Sequence, residues 1–137
     1  MSSNFRYTVG LGHVPSFQTS ARPYLTSSLT VPESSATPLE IEFETVSKFV
    51  IVTNTLPGYA TNVPLRFGFS EEGVKGSVNN NYAVLNNGET FEADFKVTKV
   101  FLLSDSASEC SASVIAGLTG VDNSHLPTNW SGSVGVG

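Results

Sequence analysis

Cysteine and charged residues are both scarce in this chain of 137 residues. Its single cysteine, Cys110, cannot form an internal disulfide, and within an apolar run it is typical of a small buried side chain. Charged residues make up 14% of the sequence, with 7 lysines and arginines against 12 aspartates and glutamates, so the formal net charge is -5. The cations are scattered and form no basic face for a phosphate backbone. We therefore expect no direct binding to nucleic acid.

Long apolar runs are also missing from the sequence. No run approaches the roughly 20 residues that a helix needs to cross a bilayer. The first residues, MSSNFR, lack the apolar segment of a secretory signal. We therefore expect a protein that is made in a cytoplasm, stays soluble and has no membrane partner.

Histidine, the usual base of a catalytic triad, occurs only at His13 and His125, near the two ends of the chain. Gly10 and Gly12 lack the third glycine and the following helix of a dinucleotide fingerprint, so they predict a turn. Asn129 begins a glycosylation acceptor pattern, which we interpret as chance because no secretory signal precedes it. The sequence therefore predicts no catalytic residue, no metal and no cofactor.

Acidic residues recur at alternate positions in two segments. They are Glu40, Glu42 and Glu44 in the first segment, and Glu92 and Asp94 in the second. A calcium site on the first set, or a pair of glycosidase carboxylates on the second, is an alternative to consider. The ordinary interpretation is a solvated strand face, where charge also discourages edge pairing with other chains.

Alternation of apolar and polar residues is what the sequence has in abundance. In the central stretch, residues 39–52, Leu39, Ile41 and Phe43 alternate with glutamates, which predicts a strand with one wet face. Similar patterns predict strands over residues 24–31, 39–53, 65–70, 82–85, 90–103 and 110–116. Residues 71–81 are predicted to form a surface loop, and no segment shows sustained helical periodicity. Eight or so short strands predict an all-β, single-domain antiparallel β-sandwich or jelly roll.

The central stretch has a similar copy later in the chain. Apolar and acidic residues alternate over residues 91–95 in the same way as over residues 39–43. The apolar pattern of residues 97–103 is likewise similar to that of residues 46–52. We interpret the two copies as related hairpins that face one another across the sandwich. The pair Asn87-Gly88 separately predicts a hairpin turn, because it tolerates positive φ.

The two ends of the chain differ in character from the middle. We divide the sequence into an N-terminal arm (residues 1–20), a β-sandwich domain (21–117) and a C-terminal arm (118–137). Each arm carries isolated apolar anchors among uncharged, glycine-rich residues. An arm with aromatic side chains needs a surface to lie against. That surface is either its own domain or a neighbouring subunit.

Blocks spread over most of the chain resemble small virion structural proteins of tailed bacteriophages, especially marine ones. The blocks are residues 7–24 (YTVGLGHVPSFQTSARPY), 65–70 (LRFGFS), 81–85 (NYAVL) with 87–89 (NGE), 114–120 (VIAGLTG) and 129–137 (NWSGSVGVG). The resemblance implies a virion component that needs neither catalysis nor a cofactor. Within that group we assign the chain to capsid decoration, or cement, proteins, which bind the outer surface of the head and stabilise contacts between major capsid proteins. Small proteins of this kind commonly act as trimers.

This assignment predicts which residues contact neighbouring subunits of the particle. They are Phe5, Tyr7, Val9, Phe17, Leu126, Trp130, Val134 and Val136. Deleting residues 1–14 or 126–137 is then expected to leave a folded monomer that no longer binds heads. The alternative is a tail, fibre-base or head-fibre component with a host-attachment or glycan-binding role. In that alternative, Tyr59, Tyr82 and Trp130 are the aromatic residues that could stack on sugars.

Overall fold

The computed structural model of the protein describes residues 10–18, 20–77 and 80–137. Within these ranges it contains eight β-strands, two short α-helices and one 3-10 turn. The strands are β1 (Arg22–Val31), β2 (Leu39–Glu42), β3 (Thr45–Asn54), β4 (Leu65–Gly68), β5 (Ala83–Leu85), β6 (Thr90–Ala93), β7 (Lys99–Ser104) and β8 (Cys110–Asp122). Helix α1 spans Val14–Gln18, helix α2 spans Glu71–Lys75, and the 3-10 turn spans Asn123–His125.

The strands form two antiparallel sheets of four strands each. Sheet A has the order β1-β8-β3-β6, and sheet B has the order β2-β7-β4-β5. Strand β1 pairs with β8, β2 with β7, β3 with β6 and β4 with β5. The chain therefore follows the path of one long hairpin whose successive strand pairs alternate between the two sheets. This is the topology of a jelly roll, and the predicted all-β antiparallel sandwich is confirmed.

Alternating apolar side chains from both sheets make up the core. Val50 and Val52 of β3 lie in one buried cluster with Val100 and Leu102 of β7, and all four are inaccessible to solvent. Each such side chain contributes about 1.5–3 kcal/mol by leaving water. The same alternation leaves the glutamates of β2 on the outside. The period of two in the sequence therefore assigns each strand its inner and outer face.

The two similar copies in the sequence do not form hairpins, which corrects that prediction. In each copy the first and second strands lie in different sheets, because β2 and β7 belong to sheet B while β3 and β6 belong to sheet A. The copies pair with one another instead, β2 with β7 and β3 with β6. Where the chain crosses between sheets, Phe43 N donates to Thr98 O at 2.8 Å and Ser47 N donates to Val97 O at 2.9 Å.

The Asn87-Gly88 pair does form a tight turn. Glu89 N donates to Asn86 O at 3.0 Å, and Gly88 has a φ of 79°. The turn joins β5 of sheet B to β6 of sheet A, so the predicted hairpin is wrong although the turn is right. Local turn chemistry fixes the reversal of the chain but not the sheet that the next strand enters.

Helix α2 covers the outer face of sheet B, where the sequence predicted a loop over residues 71–81. Ser70 caps its first turn by accepting a backbone hydrogen bond, and Gly76 ends it with a φ of 71°. Val74 of this helix is fully buried. It packs against Gly68 of β4, where a Cβ atom would come within 2.6 Å of the Val74 side chain. The missing side chain at this position lets the helix lie close to the sheet.

Arg66 of β4 connects the end of α2 to the rest of sheet B. Its Nη1 donates to the carbonyls of Val74 and Lys75 at 3.3 and 3.2 Å. These carbonyls are at the C-terminus of the helix, where the helix dipole makes a positive charge favourable. Its Nε lies 2.6 Å from the Asp105 carboxylate. Its guanidinium carbon lies 4.5 Å from the centre of the Tyr82 ring. Tyr82 is therefore occupied by a stacking contact within the domain.

Residues 10–18 pack on their own domain, whereas the sequence predicted an extended arm over residues 1–20. His13 N donates to Gly10 O at 3.1 Å, which confirms the predicted turn, and α1 follows it. Leu11 and Phe17 contact a small cluster of buried side chains at the end of the sandwich. The members of that cluster are Val46, Val121 and Leu126. The predicted anchors Phe5, Tyr7 and Val9 lie outside the described residues.

The C-terminal boundary of the domain also differs from the prediction. Strand β8 continues past residue 117 to Asp122, and Leu118 is in register with both Arg22 of β1 and Ser47 of β3. Further along the chain, Leu126 is 5% exposed and Asn129 is 1% exposed. Much of the predicted arm is therefore part of the sandwich. Deleting residues 126–137 would remove buried groups, so it is not the clean truncation that the sequence suggested.

Candidate functional site

A lysine pairs with two of the glutamates on the outer face of β2. Lys99 Nζ lies 3.2 Å from Glu40 Oε1 and 3.7 Å from Glu42 Oε2. Glu44 lies apart from these two residues and pairs with Arg22 at 3.3 Å. Among residues 10–18, 20–77 and 80–137, no three His, Cys, Asp or Glu side chains are grouped so that they could hold a metal ion. Lys99 is thus the cation that pairs with two of the three glutamates considered for a calcium site.

Glu92 and Asp94 lie in different environments. Glu92 lies on β6 in register with Ile51, and Asp94 follows the strand and lines a groove. Asp94 is the one carboxylate among the described residues that line this groove. Glycoside hydrolysis needs a second carboxyl group on the other side of the cleft. The lining of the groove therefore does not provide a glycosidase pair.

The outer face of sheet A is open and carries a row of aliphatic side chains. Leu25 of β1 is in register with Ile115 of β8, which is in register with Ile51 of β3. Leu25 is 70% exposed, and the two isoleucines are half-buried. The paired positions in the adjoining rows are uncharged: Pro23, Gly117, Phe49, Ser113 and Thr53. At the far end of the row, the exposed Glu92 of the edge strand β6 is in register with Ile51. An apolar row on an open sheet face, with a charged residue at its edge, is typical of a surface that another subunit covers.

A second apolar surface, which we call the aromatic groove, opens between β6 of sheet A and β4 of sheet B. Four phenylalanines form a continuous set of ring contacts there. The ring centroids are 4.7 Å apart for Phe67 and Phe91, 5.8 Å for Phe91 and Phe95, and 5.6 Å for Phe95 and Phe69. Two adjoining hollows of about 400 and 530 Å³ share Phe69 and Phe95 in their walls. The phenylalanines of the groove thus extend from the buried core to the exposed surface.

The C-terminal segment forms one rim of the aromatic groove. Trp130 lines the larger hollow, and its Nε1 donates to the carbonyl of Lys96. Val136 lines the same hollow, and its carbonyl accepts a hydrogen bond from Ser70 Oγ at 2.6 Å. Val134, between them, is fully exposed. These predicted anchors lie at the groove or in solvent, and their contact with other subunits stays a prediction.

Two other predicted anchors pack within the domain. Leu126 is 5% exposed, and Phe17 is half-buried beside it. Lys96 Nζ lies 4.6 Å from the centre of the Phe17 ring, which adds a cation–π contact. Both side chains therefore pack against the sandwich.

Asn129 holds the C-terminal segment in place through its side chain. Its Oδ1 accepts hydrogen bonds from Thr98 N at 2.7 Å and from Lys99 N at 3.3 Å. Its Nδ2 donates to Phe69 O at 2.8 Å and to Lys99 O at 2.9 Å. The backbone is left-handed here, with a φ of 50°, a conformation that asparagine tolerates. Because this amide is buried and fully engaged, the glycosylation pattern at Asn129 is not accessible in the folded protein.

The aromatic residues considered for sugar stacking are dispersed over the molecule. Tyr59 is 94% exposed in the connection between β3 and β4. Tyr82 lies beneath the Arg66 guanidinium. Trp130 is the one member of the three that reaches the larger hollow of the aromatic groove.

Cys110 lies at the start of β8 and is 4% exposed, as the sequence predicted for a buried side chain. Burial raises the pKa of its thiol to about 11, and a hydrogen bond with Ser104 opposes part of that rise. The thiol therefore stays protonated at neutral pH and is a poor nucleophile.

None of the described helices has the length and apolar character needed to cross a bilayer. A scan of protein-family models finds none that matches the chain, and a search among curated proteins finds no significant match.

Proposed function

We propose that this protein is a capsid decoration protein of a tailed bacteriophage, bound to the outer surface of the head, where it stabilises contacts between major capsid proteins. The outer face of sheet A, with its row of Leu25, Ile115 and Ile51, is the observation that carries the proposal. The resemblance of the sequence to phage virion proteins is the reason for placing the protein in a phage particle. Jelly rolls are also a recurrent architecture of viral capsid domains, which supports the proposal by analogy of fold.

A cement protein acts by covering a joint, so the size and chemistry of its contact face matter most. Four strands about 4.8 Å apart, of which β1 and β3 have 10 residues each at about 3.3 Å per residue, give a face of roughly 15 by 30 Å. That area is of the same order as the roughly 800 Å² that one partner buries in a standard interface. The three aliphatic side chains carry no charge, so burying them avoids the desolvation cost that unpaired ions would impose, while Glu92 lies beside them on the edge strand β6, at the rim of such an interface.

We further propose that the protein acts as a homo-oligomer, a trimer at or near local threefold axes of the head, as the resemblance implies. Linked copies bind several capsid sites at once, which raises the overall affinity without new contacts. Val134 and the exposed part of Trp130 project from the domain and are the C-terminal side chains that remain available to a neighbour. Neither a cofactor nor a catalytic group is needed for this role.

Replacing Leu25 with glutamate should abolish most binding to heads while leaving the protein folded. Leu25 is 70% exposed on an edge strand, so the free energy of unfolding should change by about 0.5 kcal/mol or less. An unpaired carboxylate buried in the interface should lower the affinity at least about 30-fold. Co-sedimentation of the purified variant with heads that lack the protein measures the effect.

Tyr59→Glu is the matched control, since it adds the same charge at a side chain that is 94% exposed and lies off sheet A. It should bind heads as the wild type does. If Leu25→Glu binds equally well, the outer face of sheet A is not the contact surface. Equal loss in both variants would mean that the added charge, and not its position, prevents binding.

A tail, fibre-base or head-fibre component with a role in host attachment is the second candidate, and the aromatic groove favours it. Phe95 is 40% exposed and Trp130 is 37% exposed, and Asp94 lies in the same lining. Exposed rings beside a polar group are what a sugar ring needs for stacking and hydrogen bonding. Specific binding of the isolated protein on a glycan array, lost in Trp130→Ala, would favour this function over capsid decoration.

A further inference from the structure

The described chain begins beside one end of the aromatic groove. Leu11 O accepts a hydrogen bond from Lys96 Nζ at 2.6 Å. Lys96 itself lines the larger hollow, and its carbonyl accepts a hydrogen bond from Trp130 Nε1. Leu11, one residue after the first described residue, therefore lies within the length of one lysine side chain from the groove.

The groove exposes apolar side chains that an apolar segment could cover. Phe95 and Trp130 are 40% and 37% exposed and line the same hollow, which Val136 also lines. A concave, largely apolar site with a few polar groups at its edge is the usual form of a binding site. Asp94 supplies the polar group, and its carboxylate has no ion-pair partner among the residues that the structure describes.

The sequence of residues 4–9 complements this surface. In an extended conformation Phe5, Tyr7 and Val9 lie on one face, and the polar residues Asn4, Arg6 and Thr8 lie on the other. Side chains on one face of a strand repeat about every 7 Å, so two successive aromatic rings can enter two adjoining hollows.

We propose that the aromatic groove is the docking site for residues 4–9 of the same chain, with Phe5 and Tyr7 occupying its two hollows. Residues 1–9 reach roughly 30 Å at about 3.3 Å per residue, which is enough to extend along the groove from Gly10. A short tether keeps the local concentration of the segment high, which favours its own domain over a neighbouring one. The N-terminal anchors are thereby assigned to the domain that carries them.

Trp130 provides a direct readout, since it is the single tryptophan of the sequence. In a Phe5→Ser/Tyr7→Ser variant, its fluorescence should shift to longer wavelength, and acrylamide should quench it roughly twofold more strongly, because the groove becomes open to water. A synthetic peptide of residues 1–10, added to protein that lacks residues 1–9, should restore the wild-type emission. Nuclear Overhauser contacts between the Tyr7 ring and the Trp130 indole in the wild type give an independent measurement.

Tyr59→Ser is the control, because it removes an exposed aromatic ring that does not line the groove. It should leave the Trp130 emission unchanged. Unaltered emission in the Phe5→Ser/Tyr7→Ser variant, together with no contact between Tyr7 and Trp130, would overturn the proposal. A wild-type signal that changes on dilution would also overturn it, since it would show exchange of the segment between copies. These measurements use the isolated protein, so their failure is separate from a failure to bind heads.

Discussion

Replacing Asn129 with alanine should lower the free energy of unfolding by about 3 kcal/mol. The side chain is 1% exposed and forms hydrogen bonds with backbone groups of Thr98, Lys99 and Phe69. Each buried backbone group that loses its partner costs about 1–3 kcal/mol, and alanine also strains the left-handed backbone. Chemical denaturation monitored by the fluorescence of Trp130 measures the change, and the melting temperature should fall by roughly 10 °C.

Two further variants separate the causes of this effect. Asn129→Gly removes the same hydrogen bonds but adopts a φ of 50° without strain, so it should be more stable than Asn129→Ala by about 1 kcal/mol. Asn123→Ala loses one side-chain hydrogen bond, to Phe43 O at 3.1 Å, and should cost no more than about 1 kcal/mol. If all three variants unfold at the same denaturant concentration, Asn129 does not anchor the C-terminal segment.

Replacing Gly117 with alanine should cost about 2 kcal/mol, although it adds a single methyl group. Gly117 lies in the central strand β8, and the Phe49 ring of the neighbouring strand covers it on the outer face of sheet A. A Cβ atom at this position would overlap the Phe49 ring and would come within 2.6 Å of Ala21 Cβ. The ring must therefore move off the sheet, which exposes apolar surface and loses its packing.

A double-mutant cycle tests whether Phe49 is the cause. In a Phe49→Ala background only the close approach to Ala21 Cβ remains, so Gly117→Ala should cost about 1 kcal/mol instead of about 2, and the two changes should be non-additive. The free energies of unfolding of the two single variants and the double variant give the coupling energy. Additive effects would show that the ring does not pack on Gly117 in the folded protein.

Much of the sandwich could be predicted from the sequence because its strands alternate cleanly. Leu39, Ile41 and Phe43 were expected on the inner face of β2 and its extension, and Ile41 and Phe43 are buried there. The partners of each strand were not predictable in the same way. Strand β6 pairs with β3, far away in sequence, and the turn at Asn87-Gly88 holds no information about that choice. The alternation of apolar and polar residues determines which face of a strand is buried. Which strands pair across long sequence separations depends on the packing of the whole fold.

Helix α2 was missed for a different reason. A helix of five residues is too short to show the 3.6-residue periodicity on which the prediction relied. Its end signals were nevertheless present in the sequence, with Ser70 as N-cap, Glu71 and Glu72 in the first turn, and Gly76 after the last turn. These capping residues are the sequence signal for a short helix at this position.

The aromatic groove and the C-terminal anchor could not have been found from apolar patterns. Phe69 and Phe95 are spaced like ordinary core residues, and only the arrangement of β4 opposite β6 brings them to an open edge. The residues after β8 have too few apolar neighbours to suggest a packed segment. Asn129 holds that segment instead through hydrogen bonds to backbone groups, for which the sequence shows no periodic signal.

Localisation of the protein in the phage particle by electron cryo-microscopy tests the central claim most directly. The account predicts density for the jelly roll on the outer surface of the head, with the row of Leu25, Ile115 and Ile51 against a neighbouring subunit. Density for this domain in the tail, or on the head with the outer face of sheet A open to solvent, would contradict it.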